Sequence, residues 1–253
     1  MTEINYIHTE DIHNHKSAEE ILPYIFNLIK PVSVIDVGCG TGSWLSVAKK
    51  LGAKTVLGVD GIYIGTQMLC IEKEEFKLQD LTLPLHTDTK YDLAICLEVA
   101  EHLPETAADN LIEILTQHSD IILFSAAIPR QEGQFHINEQ WPDYWQNKFE
   151  KKGYSAFDIL RDNFWNNENV EWWYKQNMFI YSKPENGHIL GPQVADKEII
   201  ARVHPELFKL QIERQLKQEE YFRQFMKDRI WNPKFIPALR LLIKAIIKRK
   251  VDS

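Results

Sequence analysis

Cysteine is scarce: the 253 residues hold three, Cys39, Cys70 and Cys96, widely spaced and odd in number. They make neither a disulfide framework nor a zinc-ribbon pattern, so a reducing, cytoplasmic setting is the expectation. An excess of basic charge is also missing. The formal net charge is −7, which argues against the broad cationic footprint of a nucleic-acid binder. No apolar run reaches the roughly 18–20 residues of a membrane span. The opening MTEINYIHTEDIHNHK has neither the cationic start nor the apolar stretch of a secretory leader. Internal repeats and low-complexity tracts are lacking, and 44% hydrophobic with 26% charged residues is an ordinary globular composition.

Short apolar runs alternate with helical patterns through the first half, the signature of βαβ units and a parallel sheet. Residues 17–30 have apolar side chains at helical spacing and read as a covering helix with Pro23 near its start. Strands are expected at 32–37, 54–59, 76–79, 91–97, 120–126, 154–159 and 178–182, and helices at 42–51, 105–118 and 138–152. The fold class is therefore α/β: a Rossmann-like, seven-stranded, doubly wound sheet ending in an antiparallel strand pair, with a helical C-terminal appendage. Residues 184–191 read as a linker, which divides the chain into a domain over 1–183 and a helical extension over 184–253.

The most informative segment is VIDVGCGTGSW at 34–44, where a buried strand runs into Gly38, Gly40 and Gly42 and a helix begins at once. Glycines let the backbone turn and let a ligand come close. The spacing is tighter than that of a dinucleotide fingerprint, and no Gly-Lys-Ser/Thr follows as in a P-loop. Asp36 precedes the loop, and Asp60 ends the second strand, where an acid can accept both ribose hydroxyls of an adenosyl group. Asp80 and Leu81 end the third strand, positioned for an adenine.

At these residues the chain resembles class I S-adenosylmethionine-dependent methyltransferases, over roughly 17–182. The resemblance implies that S-adenosylmethionine is the cofactor and that Gly38, Gly40 and Gly42 line its methionine portion. It implies that Asp36 meets the amino group, Asp60 the ribose, and Asp80 with Leu81 the adenine. Trp44 either closes over that side or packs in the core.

The fourth strand ends in LEVAEHLP, giving E-x-x-E-H at Glu98, Glu101 and His102. On a helical turn, residues three and four apart share a face, so these three can converge, and His136 past the fifth strand can join them. Carboxylates with imidazoles suit Mn²⁺ or Mg²⁺. The pattern is similar to that of metal-dependent O-methyltransferases, both of ubiquinone biosynthesis and of small-RNA 2′-O-methylation. Two readings stand. In one, Glu98, Glu101, His102 and His136 ligate the metal, with His136, Glu98 and His102 as the catalytic groups. In the other, Glu98 faces the cofactor, Glu101 and His102 cap a helix, and His136 is a general base alone.

The segment AIPRQEGQFHINEQWPDYW at 127–145 resembles methyltransferases of bacterial surface-glycan and capsule biosynthesis. That resemblance implies an O-methyltransferase acting on a sugar, phosphate or phosphoramidate group of a small or glycan-precursor acceptor, with Gln140 and Trp141 as candidate contacts. RNA 2′-O-methylation is the alternative, and a non-catalytic cofactor-binding scaffold the second. Phe164, Trp165, Trp172, Trp173 and Tyr174, with Arg161, crowd an insert that either stacks on an acceptor or packs on the sheet edge. His13 and His15 are a candidate lid or plain surface residues. Residues 204–230 read as a long amphipathic helix, and residues 231–250 carry six cations and no acid among apolar residues at helical spacing. That basic stretch is expected either to lie on a membrane surface or to dock on protein. A monomer or a homodimer is expected.

Overall fold

The computed structural model describes residues 15–61, 68–191 and 201–229. They fall into two compact units that divide between His204 and Pro205. His13 and the basic stretch 231–250 lie outside the described residues. Among the described residues no helix is long and apolar enough to cross a membrane.

The first unit is a seven-stranded sheet. β1 (Ser33–Val37) is an inner strand and pairs in parallel with β2 (Thr55–Asp60) and β4 (Leu93–Leu97). β3 (Phe76–Leu78) extends the β2 edge, and β5 (Ile121–Ser125) pairs with β4. β7 (Phe179–Ser182) is inserted antiparallel between β5 and β6 (Ser155–Phe157). The order is β3-β2-β1-β4-β5-β7-β6, and it reverses between β1 and β4. Ligands bind at the carboxyl ends of strands at such a reversal.

Both faces of the sheet are covered because alternate side chains of a strand point to opposite faces. Leu93, Ile95 and Leu97 join one core, with α1 (Lys16–Ile29) and α2 (Ser43–Lys50). Ala94 and Cys96 join the other, with α3 (Ala108–His118) and α4 (Pro142–Glu150). In α1 the buried stripe is Ala18, Ile21, Leu22, Ile25 and Phe26, spaced three and four apart, and Lys30 ends the helix in the left-handed region. Pro23 falls in the interior of α1 rather than near its start. It is on the exposed face, where its ring meets solvent and not the core.

Two further expectations are corrected. The helix expected from Asn138 begins at Pro142, because the preceding backbone is drawn into other bonds: Ile137 and Asn138 both donate their N–H to the Glu101 carbonyl, at 2.9 and 3.0 Å. Pro142 has no N–H to offer and so starts a helix at no cost. Residues 184–191, expected as a linker, form a 3₁₀ turn (Pro184–Asn186) and the short helix α7 (Gly187–Leu190), which sends Leu190 into the core. α7 follows two other short helices, α5 (Arg161–Phe164) and α6 (Trp172–Asn177).

The second unit begins with α8 (Pro205–Arg229). Its amphipathic character is weak. Phe208, Ile212 and Leu216 recur every four residues, but at 100° per residue Tyr221 and Phe225 fall on the far side.

Candidate active site

The glycine loop leaves β1 with Gly38, Gly40 and Gly42 all at positive φ, the last capping α2. Gly38 shows why no other residue serves: a Cβ there would lie 2.3 Å from Cγ2 of Val99, at a φ of +85°. The loop thus rests directly on the turn that follows β4. Asp36, on β1, is 3% exposed. Burial pushes its carboxyl well above the usual range, and the neighbouring Asp60 adds to the push. Two acids packed so closely favour a cationic ligand between them. Asp60 also reaches the loop itself, Oδ2 accepting the Gly40 N–H at 2.8 Å. Asp80 closes the turn after β3 by accepting the N–H and hydroxyl of Thr82 at 2.8 and 2.7 Å. Leu81 is buried in the core on the α3 side, and Trp44 is buried on the α2 side with its ring edge-on to Tyr174 at 5.3 Å.

Glu98 is the first residue past β4 and takes a φ of +54°, seldom seen outside glycine. Its N–H donates to the carbonyl and the hydroxyl of Ser125, at 3.0 and 3.1 Å, which ties it to the end of β5. Its carboxylate accepts from Nε2 of Gln131 at 2.7 Å and from Nδ2 of Asn177 at 3.1 Å. Asn177 and Gln176 both donate to Oε1 of Gln131, at 2.8 and 3.1 Å, so the buried amides form a closed network that ends on Glu98. Burial nevertheless pushes the Glu98 carboxyl up, with those donors acting against it.

Glu101 sits in a 3₁₀ turn (Ala100–His102) and is fully buried. Neither of its carboxyl oxygens has a hydrogen-bond partner among the described residues. Burial and then the charge of Glu98 hold it well above the ordinary glutamate value. His102 meets His136 edge-on, ring centres 4.8 Å apart. Burial, followed by the proximity of His136, lowers His102 to about 4, so its ring is neutral near pH 7.

Glu101, His102 and His136 therefore form one group, one donor atom from each lying within 4.8 Å of the others. A divalent cation with bonds of about 2.1 Å needs neighbouring ligands about 3–4 Å apart, a small contraction of this group. The buried, partnerless carboxylate and a neutral imidazole are the donors such an ion requires. The residues fit the ion. Glu98 does not join them; its oxygens are turned to Gln131 and Asn177.

The aromatic insert is mostly structural. Phe164 and Tyr174 pack on the core, and Trp165 stacks near His204 at 4.8 Å. Arg161 is 1% exposed, paired with Asp158 and lying 4.3 Å over the Phe179 ring, so it is not a stacking platform. Gln140 donates to Asn138, while Trp141 is 43% exposed beside the His136 segment. The sequence reading missed Gln131, Gln176 and Asn177. The one available signal was a pair of amides immediately before an otherwise apolar strand.

Comparison with known proteins gives the family. A family model described as a methyltransferase domain matches residues 10–179, more than half of the chain. A ribosomal protein L11 methyltransferase of Lactobacillus gasseri is 37% identical over 90 residues, 32% of this chain and 28% of that protein. A ubiquinone biosynthesis O-methyltransferase of Rickettsia typhi is 33% identical over 115 residues, 42% of this chain and 45% of its own length. The chain thus spans less than half of each of these curated relatives. Among solved structures, an amino pentose methyltransferase from Micromonospora echinaspora superimposes with a TM-score of 0.52 at 12% identity, over 72% of this chain and all of that one, and shares the fold.

Proposed function

This chain belongs to the methyltransferase domain family and is an S-adenosylmethionine-dependent enzyme; from that premise we propose that it methylates an oxygen. The acceptor is a small polar molecule, a sugar, phosphate or phosphoramidate group of a bacterial glycan or capsule precursor. The observation that carries this reading is the convergence of Glu101, His102 and His136 beside the glycine loop.

Methyl transfer is an in-line displacement at a sulfonium, so alignment of the nucleophile supplies much of the rate. Gly38, Gly40 and Gly42 with Asp36, Asp60, Asp80 and Leu81 hold the cofactor at the ends of β1, β2 and β3. Asp36 and Asp60 supply the negative charge that a cationic methionine portion offsets. A hydroxyl acceptor must lose a proton, and His136 is the base that takes it when no ion occupies its one ring lone pair. Were a divalent cation held by Glu101, His102 and His136, that lone pair would be a ligand, and the cation would instead orient the acceptor oxygen and lower its pKa. Glu98, fixed by two amides, places its charge next to Glu101. Trp141 offers an exposed aromatic face on which a sugar ring can stack. The Rickettsia typhi relative is named as an O-methyltransferase, which agrees with an oxygen acceptor.

The test is transfer of isotopically labelled methyl to a panel of nucleotide sugars, sugar phosphates, phosphoramidates and a short RNA, with Mn²⁺, with Mg²⁺ and with chelator. The expected product is a methylated sugar or phosphate whose yield falls on chelation. Labelled RNA alone would make RNA the substrate. Binding of S-adenosylhomocysteine without any product would leave a cofactor-binding scaffold.

A further inference from the structure

We propose that Glu139 is the positioning residue of His136: it holds Nδ1 as the protonated ring nitrogen and so leaves the Nε2 lone pair as the one with which His136 can act. The inference rests on the reading of His136 as the working imidazole and adds the group that aims it.

Three N–H groups converge on the Glu139 carboxylate. Arg130 donates its backbone N–H to Oε2 at 2.7 Å, Glu132 donates its own to Oε1 at 2.6 Å, and Nδ1 of His136 lies 2.9 Å from Oε1. An ionised carboxylate only accepts, so the imidazole must be the donor in the third bond. That assigns the proton to Nδ1 and the lone pair to Nε2. A carboxylate behind a working histidine fixes both its tautomer and its ring plane.

The backbone is bent to make this arrangement. Arg130, Glu132 and Phe135 have φ of +72°, +57° and +58°, and none is glycine. Such residues persist only where the surroundings hold them, and two of the three, Arg130 and Glu132, aim their N–H groups at this one carboxylate. His136 and Glu139 are three residues apart but not on a helix, since α4 starts at Pro142. The residues between them, Ile137 and Asn138, are bonded through their N–H groups to the Glu101 carbonyl. Glu139 is thereby set at a fixed place relative to Glu101 as well. Gly133 completes the seat: a Cβ there would lie 2.2 Å from Nε2, so the ring rests on bare backbone.

Glu139→Leu tests the assignment with little change of size. It removes the acceptor that Nδ1–H needs, so the ring reverts to the Nε2–H tautomer that a neutral imidazole without a fixed partner prefers. The full chain is labelled with ¹⁵N-histidine, freed of metal with chelator, and its ring nitrogens are followed by long-range ¹H–¹⁵N NMR at a pH where His136 is neutral. His136 is assigned by the signals lost in His136→Gln. The expected result is an Nδ1–H tautomer in the native chain and an Nε2–H tautomer in E139L. S-adenosylhomocysteine affinity should stay unchanged, and kcat should fall roughly 10–100-fold with little change in KM. Glu139→Asp, which remains acceptor-only, should restore the Nδ1–H tautomer. An Nε2–H tautomer in the native chain overturns the proposal. So does an unchanged tautomer in E139L, and so does parallel loss of cofactor binding and of folding in both variants. A tautomer that follows residue 139 while methyl transfer does not would uphold the positioning and instead defeat the catalytic reading of His136.

Discussion

Gly133→Ala separates the seat of His136 from its chemistry. The added methyl carbon would stand 2.2 Å from Nε2, 2.6 Å from Cε1 and 2.8 Å from Cδ2. Ordinary contact begins at 3.4 Å, so the imidazole must retreat by about 1.2 Å, the difference between 3.4 and 2.2 Å. Nδ1 is already committed at 2.9 Å to Glu139, and the His102 ring centre stands 4.8 Å away, which leaves little room for the move. A preorganised site tolerates roughly 0.5 Å. A misplacement near 1 Å costs on the order of 100-fold in rate, or about 2.7 kcal/mol of transition-state stabilisation. Stability should hardly change. Gly133 is exposed, its φ is not in the left-handed region, and the atoms in the way are the far end of one side chain. A shift of at most about 0.5 kcal/mol is expected, as for a surface substitution. The assay pairs turnover of labelled S-adenosylmethionine with a melting curve and calorimetric binding of S-adenosylhomocysteine. Native turnover in G133A, with His136 unmoved in a crystal, would refute the placement of the ring. A collapse of melting temperature would show that the glycine serves folding and not the site.

Four further outcomes follow from the same geometry. Glu101→Gln should remove Mn²⁺ binding, read by electron paramagnetic resonance; it should also remove that residue's share of the pH dependence of metal-free stability. Burial raises the Glu101 and Glu98 carboxyls in the folded state, so the stability they contribute is present below the ordinary glutamate range and is lost as pH climbs through and above it; other acids, Asp109 and Asp120 among them, are lowered and act the other way, so the check is the urea midpoint of the native metal-free chain minus that of Glu101→Gln, and a difference that rises over that interval contradicts this. Asn177→Ala removes a donor from Glu98 and from Gln131 and should cost about 1–3 kcal/mol in urea unfolding, while Asn177→Asp, adding a like charge, should cost more. Asp60→Ala should weaken S-adenosylhomocysteine roughly 10–100-fold, the worth of charge-assisted bonds of about 1.5–3 kcal/mol; unchanged affinity by calorimetry would remove Asp60 from the cofactor site. Gly38→Ala should leave little folded protein at 37 °C, because the methyl collides with Val99 at a φ that alanine resists, and a native melting curve would contradict it.

The strands were legible because they are runs of β-branched and aliphatic residues ending in glycine or acid, a local property. The grouping of Glu101, His102 and His136 was legible for a similar reason: two of the three are adjacent in sequence, and the third follows the neighbouring strand. What escaped was decided at long range. The donors that occupy Glu98 come from 33 and 79 residues away, and no spacing announces them. The start of α4 was misplaced because the Glu101 carbonyl takes the N–H groups of Ile137 and Asn138, residues whose local preference gives no hint of it. The turn at 184–191 looked like a linker from its glycines and proline, yet Leu190 had a cavity to fill. The antiparallel pair at the end of the sheet was expected; that its second strand would wedge in beside β5 was not.

That wedge has a consequence for how the enzyme comes off the ribosome. Because β7 runs against β5, Phe179 lies opposite Phe124, and the two amides just ahead of it arrive at the rim where Glu98 waits. The glycine loop, β4 and the Gln131 donor of Glu98 all precede β7 in the chain, but the Asn177 donor arrives only with that last strand. A chain ending near residue 170 would leave the Glu98 carboxylate with one of its two amide donors, so the last strand to be made also finishes the rim beside the glycine loop.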